Sequence, residues 1–397
     1  MSDETSHSHK RKRPDSCDAY PGLLHEVPDS LQSSIQDDVL SLMFPNKNLH
    51  AHAPHLYRAL PGPLPISITR AHLQQLSTHD FWVSEKSDGE RAMLYVSKAR
   101  ASAYLIDRKF CVKQVRHTIY AELWGVDGDS LMDGELVVSK DHCGNTFMVF
   151  DVLVINGTRT LERKLSERLA HIGQDIVAPY RKRFPPATNT FEEQLAYLPL
   201  IIRAKAFSRK HHLKAGVMDF IKPVPGAPNE WMYDDGKRRN KNDGVIFTPE
   251  DDNYWCKKVP LLKWKHQGLD TIDFFTRSPW FDREGRLVLY STANSLPEEK
   301  GARSQTVTVH MRSTRLTPEK RAWFLAGVSG KEGAIVEMQY DSQTSSWQPK
   351  NFRWDKATPN FMTTVLSTME TIIDNVQPAD LYAACSKRPA TTAAAFA

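Results

Sequence analysis

Cysteine is scarce: five residues in 397 (Cys17, Cys111, Cys143, Cys256, Cys385), with no C-x-x-C pair among them. That spacing suggests neither a zinc site nor a disulfide framework, and it predicts a reducing compartment. Long apolar runs are missing too. No stretch approaches the roughly 18 apolar residues of a membrane span and the N-terminus has no apolar signal region, so a soluble intracellular protein with no membrane partner is expected. Charge of one sign is also lacking, since 52 Lys plus Arg stand against 47 Asp plus Glu, a formal +5 that leans only mildly towards polyanionic partners. What is present is 40% hydrophobic and 10% aromatic content, enough apolar material for two ordinary domains.

The chain divides by texture. Residues 1–30 read as a disordered basic tail in which KRKRP, Lys10 to Pro14, looks like a nuclear import signal, the alternative being a solvated basic run. Asn46 to Pro65 holds four prolines and reads as a wrapping connection, with His50, His52 and His55 as loop histidines. From Phe81, short β-rich runs alternate with turn signals: FWVSE, RAMLYV, SAYLID, FCVKQV, LMDGELVV and TFMVFDVLVI, the last apolar enough to be buried on both faces. Leu161, Leu165, Leu169, Ile172 and Ile176 recur at helical spacing, predicting a helix capped by Thr158 or Thr160 and stopped by Pro179. FEEQLAY to about His211 reads as a second helical stretch, and NEWMYDDGKRRNKNDGVIFTP as a turn-rich loop ending in a strand at Gly244 to Phe247. Alternating strands resume at IDFFTR, RLVLYS, QTVTVHMR and GAIVEMQY, with a helical insert near LTPEKRAWFLAG, as in a small barrel closed by a helix from Asn360 to Val376. The expected boundaries are 31–270, 271–376 and a C-terminal tail at 377–397.

Four elements need one explanation: Lys86-Ser-Asp-Gly-Glu-Arg91, Asp133-Gly-Glu135, Asp243-Gly-Val-Ile-Phe247 and Lys263-Trp-Lys265. Any single Asp-Gly is most simply a hairpin turn. Together, at strand ends, they supply what a lysine nucleophile attacking a phosphate needs: cations for the phosphates and carboxylates for a divalent metal. Strand alternation puts Lys263 and Lys265 on one face, with Trp264 on the other. Their charges, with a metal, are expected to lower the pKa of Lys86. RKRF at Arg181 and KRRNK at Lys237 read as solvated loops that could contact RNA phosphates, and Trp255 reads as buried packing rather than a base-stacking platform.

This ordered set resembles the covalent nucleotidyltransferase superfamily of mRNA capping guanylyltransferases and polynucleotide ligases. FMVFDVLVING and LLKWKHQGLDTIDF look more like the capping branch. The resemblance covers about residues 60 to 376 and implies an α+β fold, a nucleotidyltransferase domain of the ligase and capping type with antiparallel sheets plus a C-terminal OB-fold β-barrel. Lys86 would be the nucleophile that becomes a lysyl-N-GMP adduct. Arg91 and Arg108 would contact ribose and phosphates, Glu135 the ribose, and Phe150 would stack on guanine. Asp243 would lie near the α-phosphate, with Glu135 and Asp243 as carboxylates for Mg2+ or Mn2+. Lys263 would help recognise the base and Lys265 would bind the α-phosphate. Arg353, Asp355 and Lys356 fit a final motif that touches the β and γ phosphates, although Asn351 stands where its first arginine is usual.

The implied activity is GTP-dependent transfer of GMP to 5′-diphosphate RNA in the nucleus. A separate RNA triphosphatase and cap methyltransferase are the implied partners, and the RNA polymerase II tail is a further candidate contact. Two alternatives stand beside it. An ATP-dependent ligase would use the same lysine, but no room is expected for a large DNA-clamping domain. A noncatalytic RNA-binding protein on this fold would need no unprotonated lysine.

Overall fold

A computed structural model describes residues 24–45, 59–116, 119–139, 144–183, 200–227, 230–266, 268–294 and 306–386. KRKRP, the three loop histidines and FEEQLAY fall outside these residues. No described helix is long and apolar enough to cross a membrane.

The strand Glu90–Ser97 explains the first sheet. Six of its eight residues are buried, because Ala92, Leu94 and Val96 pack on one face against Tyr120, Trp124 and Ile176. Met93 and Tyr95 pack on the other against Ile35, Val39 and Leu40 of the helix Asp29–Met43. Both faces are covered, so the sequence there is nearly continuous in apolar residues. This eight-stranded sheet runs Leu24–Glu26, Val112–Val115, Ser102–Ile106, Glu90–Ser97, Ser130–Ser139, Gly144–Ile155 and Ile201–Ala204, with Thr158–Arg159 paired to Gly144–Ile155. Its pairs are antiparallel except that of Ile201–Ala204 with Gly144–Ile155.

The second sheet has seven strands. Ser208–Arg209, Phe81–Ser87, Arg239–Pro249, Trp231–Asp234 and Ile221–Pro223 lie in that order, and Leu262–Trp264 pairs with both Arg239–Pro249 and Ile66–Ser67. Phe81–Ser87 belongs to this sheet and Glu90–Ser97 to the first, so Asp88-Gly89 is not a hairpin turn but the crossing from one sheet to the other. The crossing leaves Lys86 near the end of a strand of the second sheet and Arg91 near the start of a strand of the first. Gly89 is required there, since a Cβ would lie 2.6 Å from the Leu136 carbonyl oxygen and 2.8 Å from Glu135 Cγ.

The third sheet is the C-terminal OB-type barrel: Thr306–Thr314, Leu287–Asn294, Thr271–Arg277, Gly333–Asp341 and Ser346–Phe352, all antiparallel. The helices Pro318–Gly327 and Met362–Asp374 cover a separate core of Ile272, Phe274, Leu289, Phe324, Val336, Trp347 and Val365.

Several sequence expectations need correction. Order begins before residue 31, because Leu24–Glu26 pairs with Val112–Val115. Residues 378–386 are no tail. The helix Pro378–Ser386 returns to the first domain, and its Leu381, Ala384 and Cys385 join the core of Phe81, Val83, Phe247 and Trp264. Trp264 Nε1 donates to the Val376 carbonyl at 2.7 Å, and the Arg70 main-chain N–H donates to the Asp374 carboxylate at 2.7 Å. The helix expected over 161–176 starts at Leu165 after an uncapped Lys164, widens to a π-turn over Ile172–Val177 and continues as Ala178–Arg183, so Pro179 sits in its last segment rather than ending it. Ile201–Ala204 is a strand, not helix. The turn-rich loop is a hairpin, with Trp231–Asp234 paired to Arg239–Asn242. Trp255 packs as expected, its ring stacked on Phe44 at 4.9 Å.

Candidate active site

Lys86 is the penultimate residue of Phe81–Ser87, and alternation turns it to the face opposite Glu85 and Ser87. Across from it the partner strand bulges: Asn242 pairs with Ser87 and Gly244 with Lys86, leaving Asp243 as the extra residue. A bulge re-aims a side chain, and here it sends Asp243 Oδ2 to within 2.6 Å of Lys86 Nζ and 3.0 Å of Lys265 Nζ. Asn242 holds the bulge open, donating to the Lys86 carbonyl (3.1 Å) and the Gly244 carbonyl (2.9 Å) and accepting from the Gly244 N–H (2.9 Å).

The electrostatics follow from this crowding. Burial alone would lower the Lys86 pKa, but the charge and hydrogen bond of Asp243, with Glu135 and Asp88, outweigh it and raise the ammonium above its ordinary value. Among protein groups Asp243 thus outweighs Lys263 and Lys265 at Lys86, and the lowering expected of those two lysines is one they would produce together with a metal. Burial opposes ionisation of Asp243 as well, yet the charges of Lys86 and Lys265 prevail and hold it below the usual carboxylate range. Lys263 is pushed the other way, by burial and then by the like charges of Lys265 and Lys86. An incoming anion would relieve that repulsion. Burial raises Glu135 despite Lys205, Lys86 and Arg91 nearby.

Beneath the lysine lies a buried polar network that the sequence did not single out. Glu85 accepts from Ser87 Oγ at 2.6 Å and lies 3.4 Å from Lys205 Nζ, which also donates to Ser87 Oγ at 3.0 Å. Asn240 and Asn242 each donate to Glu85 at 3.3 Å. His266 Nε2 lies 3.2 Å from Asn242 Oδ1, and its ring is stacked on Trp231 at 3.8 Å. Burial lowers its pKa to about 4.

The remaining candidates divide. Arg91 faces Asp133 as a bidentate pair (3.1 and 2.7 Å) and also donates to the Pro63 carbonyl and to Tyr254 Oη, each at 2.9 Å. In this conformation it ties the 59–66 segment to the sheet and makes no contact with Lys86. Phe150 is half-buried at a second bulge, between the pairs Asp133–Asp151 and Gly134–Val149. Arg108 is exposed on the turn after Ser102–Ile106 and is not joined to the lysine cluster. Arg353 and Lys356 both reach Asp273 within the barrel, Arg353 at 2.9 Å, and Arg353 also pairs with Asp355 at 2.8 Å. Asn351 donates to Glu337 at 3.0 Å.

A divalent ion has limited support from protein atoms alone. Among the described residues no group of three or more His, Cys, Asp or Glu side chains could hold one. Asp243 and Glu135 both act electrostatically on Lys86, and a Mg2+-type ion needs only one or two carboxylates beside phosphate oxygens and water.

Sequence comparison adds independent findings. Residues 22–267 match the family described as mRNA capping enzyme, catalytic domain, and residues 269–382 match mRNA capping enzyme, C-terminal domain. The mRNA-capping enzyme subunit alpha of Schizosaccharomyces pombe is 29% identical over 347 residues, spanning 81% of this chain and 78% of the relative. The Saccharomyces cerevisiae protein of the same name is 25% identical, over 91% of this chain and 84% of its own. A solved structure titled mycobacterial DNA ligase D complexed with ATP and MES overlaps 74% of this chain at 16% identity with a TM-score of 0.33, too loosely to bear on the reaction. Two family matches that together span nearly all the described residues leave one assignment: the chain belongs to the mRNA capping enzyme family.

Proposed function

We propose that this chain is a GTP:RNA guanylyltransferase that carries GMP on Lys86 and hands it to the 5′-diphosphate end of RNA, forming a GpppN cap. The observation that supports it most is Asp243 Oδ2 shared between Lys86 Nζ (2.6 Å) and Lys265 Nζ (3.0 Å), with Lys263 beside them. In the first step the Lys86 amine attacks the α-phosphate of GTP. A phosphorus–nitrogen bond forms, the bond to the bridging oxygen breaks and pyrophosphate leaves. Asp243 accepts a hydrogen bond from Lys86 Nζ at 2.6 Å and orients it; with its own pKa held low, it leaves the proton that Lys86 must lose to pass to water. Lys265 and Lys263 offset the charge that builds on the phosphates. Mg2+ or Mn2+, held by Asp243 and Glu135 together with the nucleotide, would neutralise further phosphate charge. In the second step a terminal phosphate oxygen of the RNA attacks the adduct and the lysine amine leaves.

Arg353 and Lys356 are bonded to Asp273 in this conformation, so contact with the β and γ phosphates would require them to exchange that partner as the barrel closes over GTP. The subunit-alpha names of the fungal relatives favour a separate partner, in keeping with an RNA triphosphatase supplied by another chain. KRKRP favours nuclear action. The test is a chase. Protein labelled from α-labelled GTP is separated from nucleotide and mixed with 5′-diphosphate RNA, and the label should move to a nuclease-resistant GpppN end. Label acquired only from ATP, or label that never leaves the protein, would refute the reading.

A further inference from the structure

Two basic runs more than fifty residues apart meet on one face of the molecule. The helix Ala178–Arg183 ends in Arg181, Lys182 and Arg183. The hairpin of Trp231–Asp234 and Arg239–Pro249 carries Lys237, Arg238 and Arg239 at its tip. Arg203, half-buried on the strand Ile201–Ala204, joins them by donating from Nη1 to the Lys237 carbonyl at 2.9 Å. Burial and then the like charges of Arg238 and Arg181 lower the Arg203 pKa, so these guanidiniums crowd one another. The local carboxylates cancel only part of this charge. Asp235 is bonded to Arg238 at 2.6 Å and Asp234 lies 3.8 Å from Arg239, while Arg181, Arg203 and Lys237 make no ion pair among the described residues. Proteins keep such uncompensated clusters at cost unless an anion answers them.

The cluster is continuous with the active site. The hairpin strand that bears Arg239 at one end bears Asp243 four residues on, about 13 Å away at strand rise. Between them, the Lys241 carbonyl accepts the main-chain N–H of Asp88 in the lysine crossing at 2.9 Å. A chain of phosphates leaving Lys86 along this hairpin reaches Arg238, Lys237 and Arg203 within a few nucleotides. We propose that the surface formed by Arg181, Arg203, Lys237 and Arg238 binds the phosphate backbone of the acceptor RNA downstream of its 5′ end. The proposal rests on the guanylyltransferase reading for its choice of RNA, but binding can be measured without turnover.

The test compares the protein with an Arg181→Gln, Arg203→Gln, Lys237→Gln variant, and with Lys237→Glu alone in case the triple change perturbs folding. Lysyl-GMP formation from GTP should be unchanged in both, which also reports an intact first domain. KM for a long 5′-diphosphate RNA should rise about tenfold while that for a diphosphate dinucleotide stays put. The dependence of log Kd on log salt for long single-stranded RNA should become shallower by about 2 in the triple variant, at roughly 0.7 per lost phosphate contact. An unchanged salt slope, or an equal loss on dinucleotide and long RNA, would overturn the proposal. So would lost binding of a phosphoserine peptide with RNA binding intact, which would assign the surface to a protein partner. Failure of wild-type protein to form any lysyl-GMP would instead refute the guanylyltransferase reading and leave the salt slope to decide this one.

Discussion

Gly244 should be the residue on which the site geometry depends most sharply. Its φ is +129°, and a Cβ there would lie 1.9 Å from the Trp264 carbonyl oxygen and 2.9 Å from Lys265 Cα. Gly244→Ala therefore carries two costs, about 1–3 kcal/mol for a glycine-only backbone conformation and about 1–3 kcal/mol for overpacking. The opposing atom is main chain in a paired strand, so it cannot rotate away, and relief must move Leu262–Trp264 by about 1 Å. Lys265 would move with it, away from Asp243, and misplacement on that scale costs about a hundredfold in rate. We expect Gly244→Ala to lower Tm by about 5 °C or more and to cut the initial rate of Lys86 labelling from GTP about a hundredfold. Gly236→Ala is the control: φ is +78° but no atom lies within 4 Å of its Cβ, so it should cost only about 1–2 kcal/mol and leave labelling alone. If the two variants melt alike and both label fully, the bulge does not position the site as described.

In the nucleotide-free protein Lys86 should resist an amine-directed electrophile at neutral pH, and its reaction, followed by peptide mass spectrometry, should speed up as pH rises or when Asp243 is changed to Asn. The raised folded pKa also means that its pairing with Asp243 stabilises the fold below the ordinary lysine value and is lost as pH climbs through the folded value. His266 has the opposite sense: with a folded pKa of about 4, its contribution is present above about pH 6.5 and lost as pH falls through 4, up to about 3 kcal/mol. His266→Gln should flatten Tm against pH across that window. Arg168, fully buried and paired in bidentate fashion with Asp151 at 2.8 and 3.0 Å, should cost about 3–5 kcal/mol as Arg168→Met in urea denaturation.

The sequence revealed the chemistry better than the scaffold around it. Lys86, Asp243, Lys263 and Lys265 are legible because each sits beside a turn glycine or in an alternating strand, and the structure gathers them. The hairpin at 231–249 is hidden because its buried alternation is carried partly by Asn240 and Asn242, polar residues that donate to Glu85, so no apolar period announces a strand. The Glu85–Lys205 network joins residues 120 positions apart through side-chain contact between a strand of the second sheet and the segment following a strand of the first, which local pattern cannot supply. Leu24–Glu26 is a short, largely exposed edge strand. The helix Pro378–Ser386 has an Ala-rich sequence that resembles a frayed end, and only its docking beside Trp264 gives it a core. The pairing of Asp243 with Lys86 was not legible either, because it depends on a strand bulge that brings the two together.

The most direct test of the central claim is to incubate the protein with Mg2+ and α-labelled GTP or ATP in parallel, beside Lys86→Ala, and to follow the label through acid and alkali on denaturing gels. The account predicts label from GTP alone, labile to acid, stable to alkali, mapping to the Lys86 peptide and absent from the variant. Label that persists in Lys86→Ala, or comes from ATP alone, would contradict it.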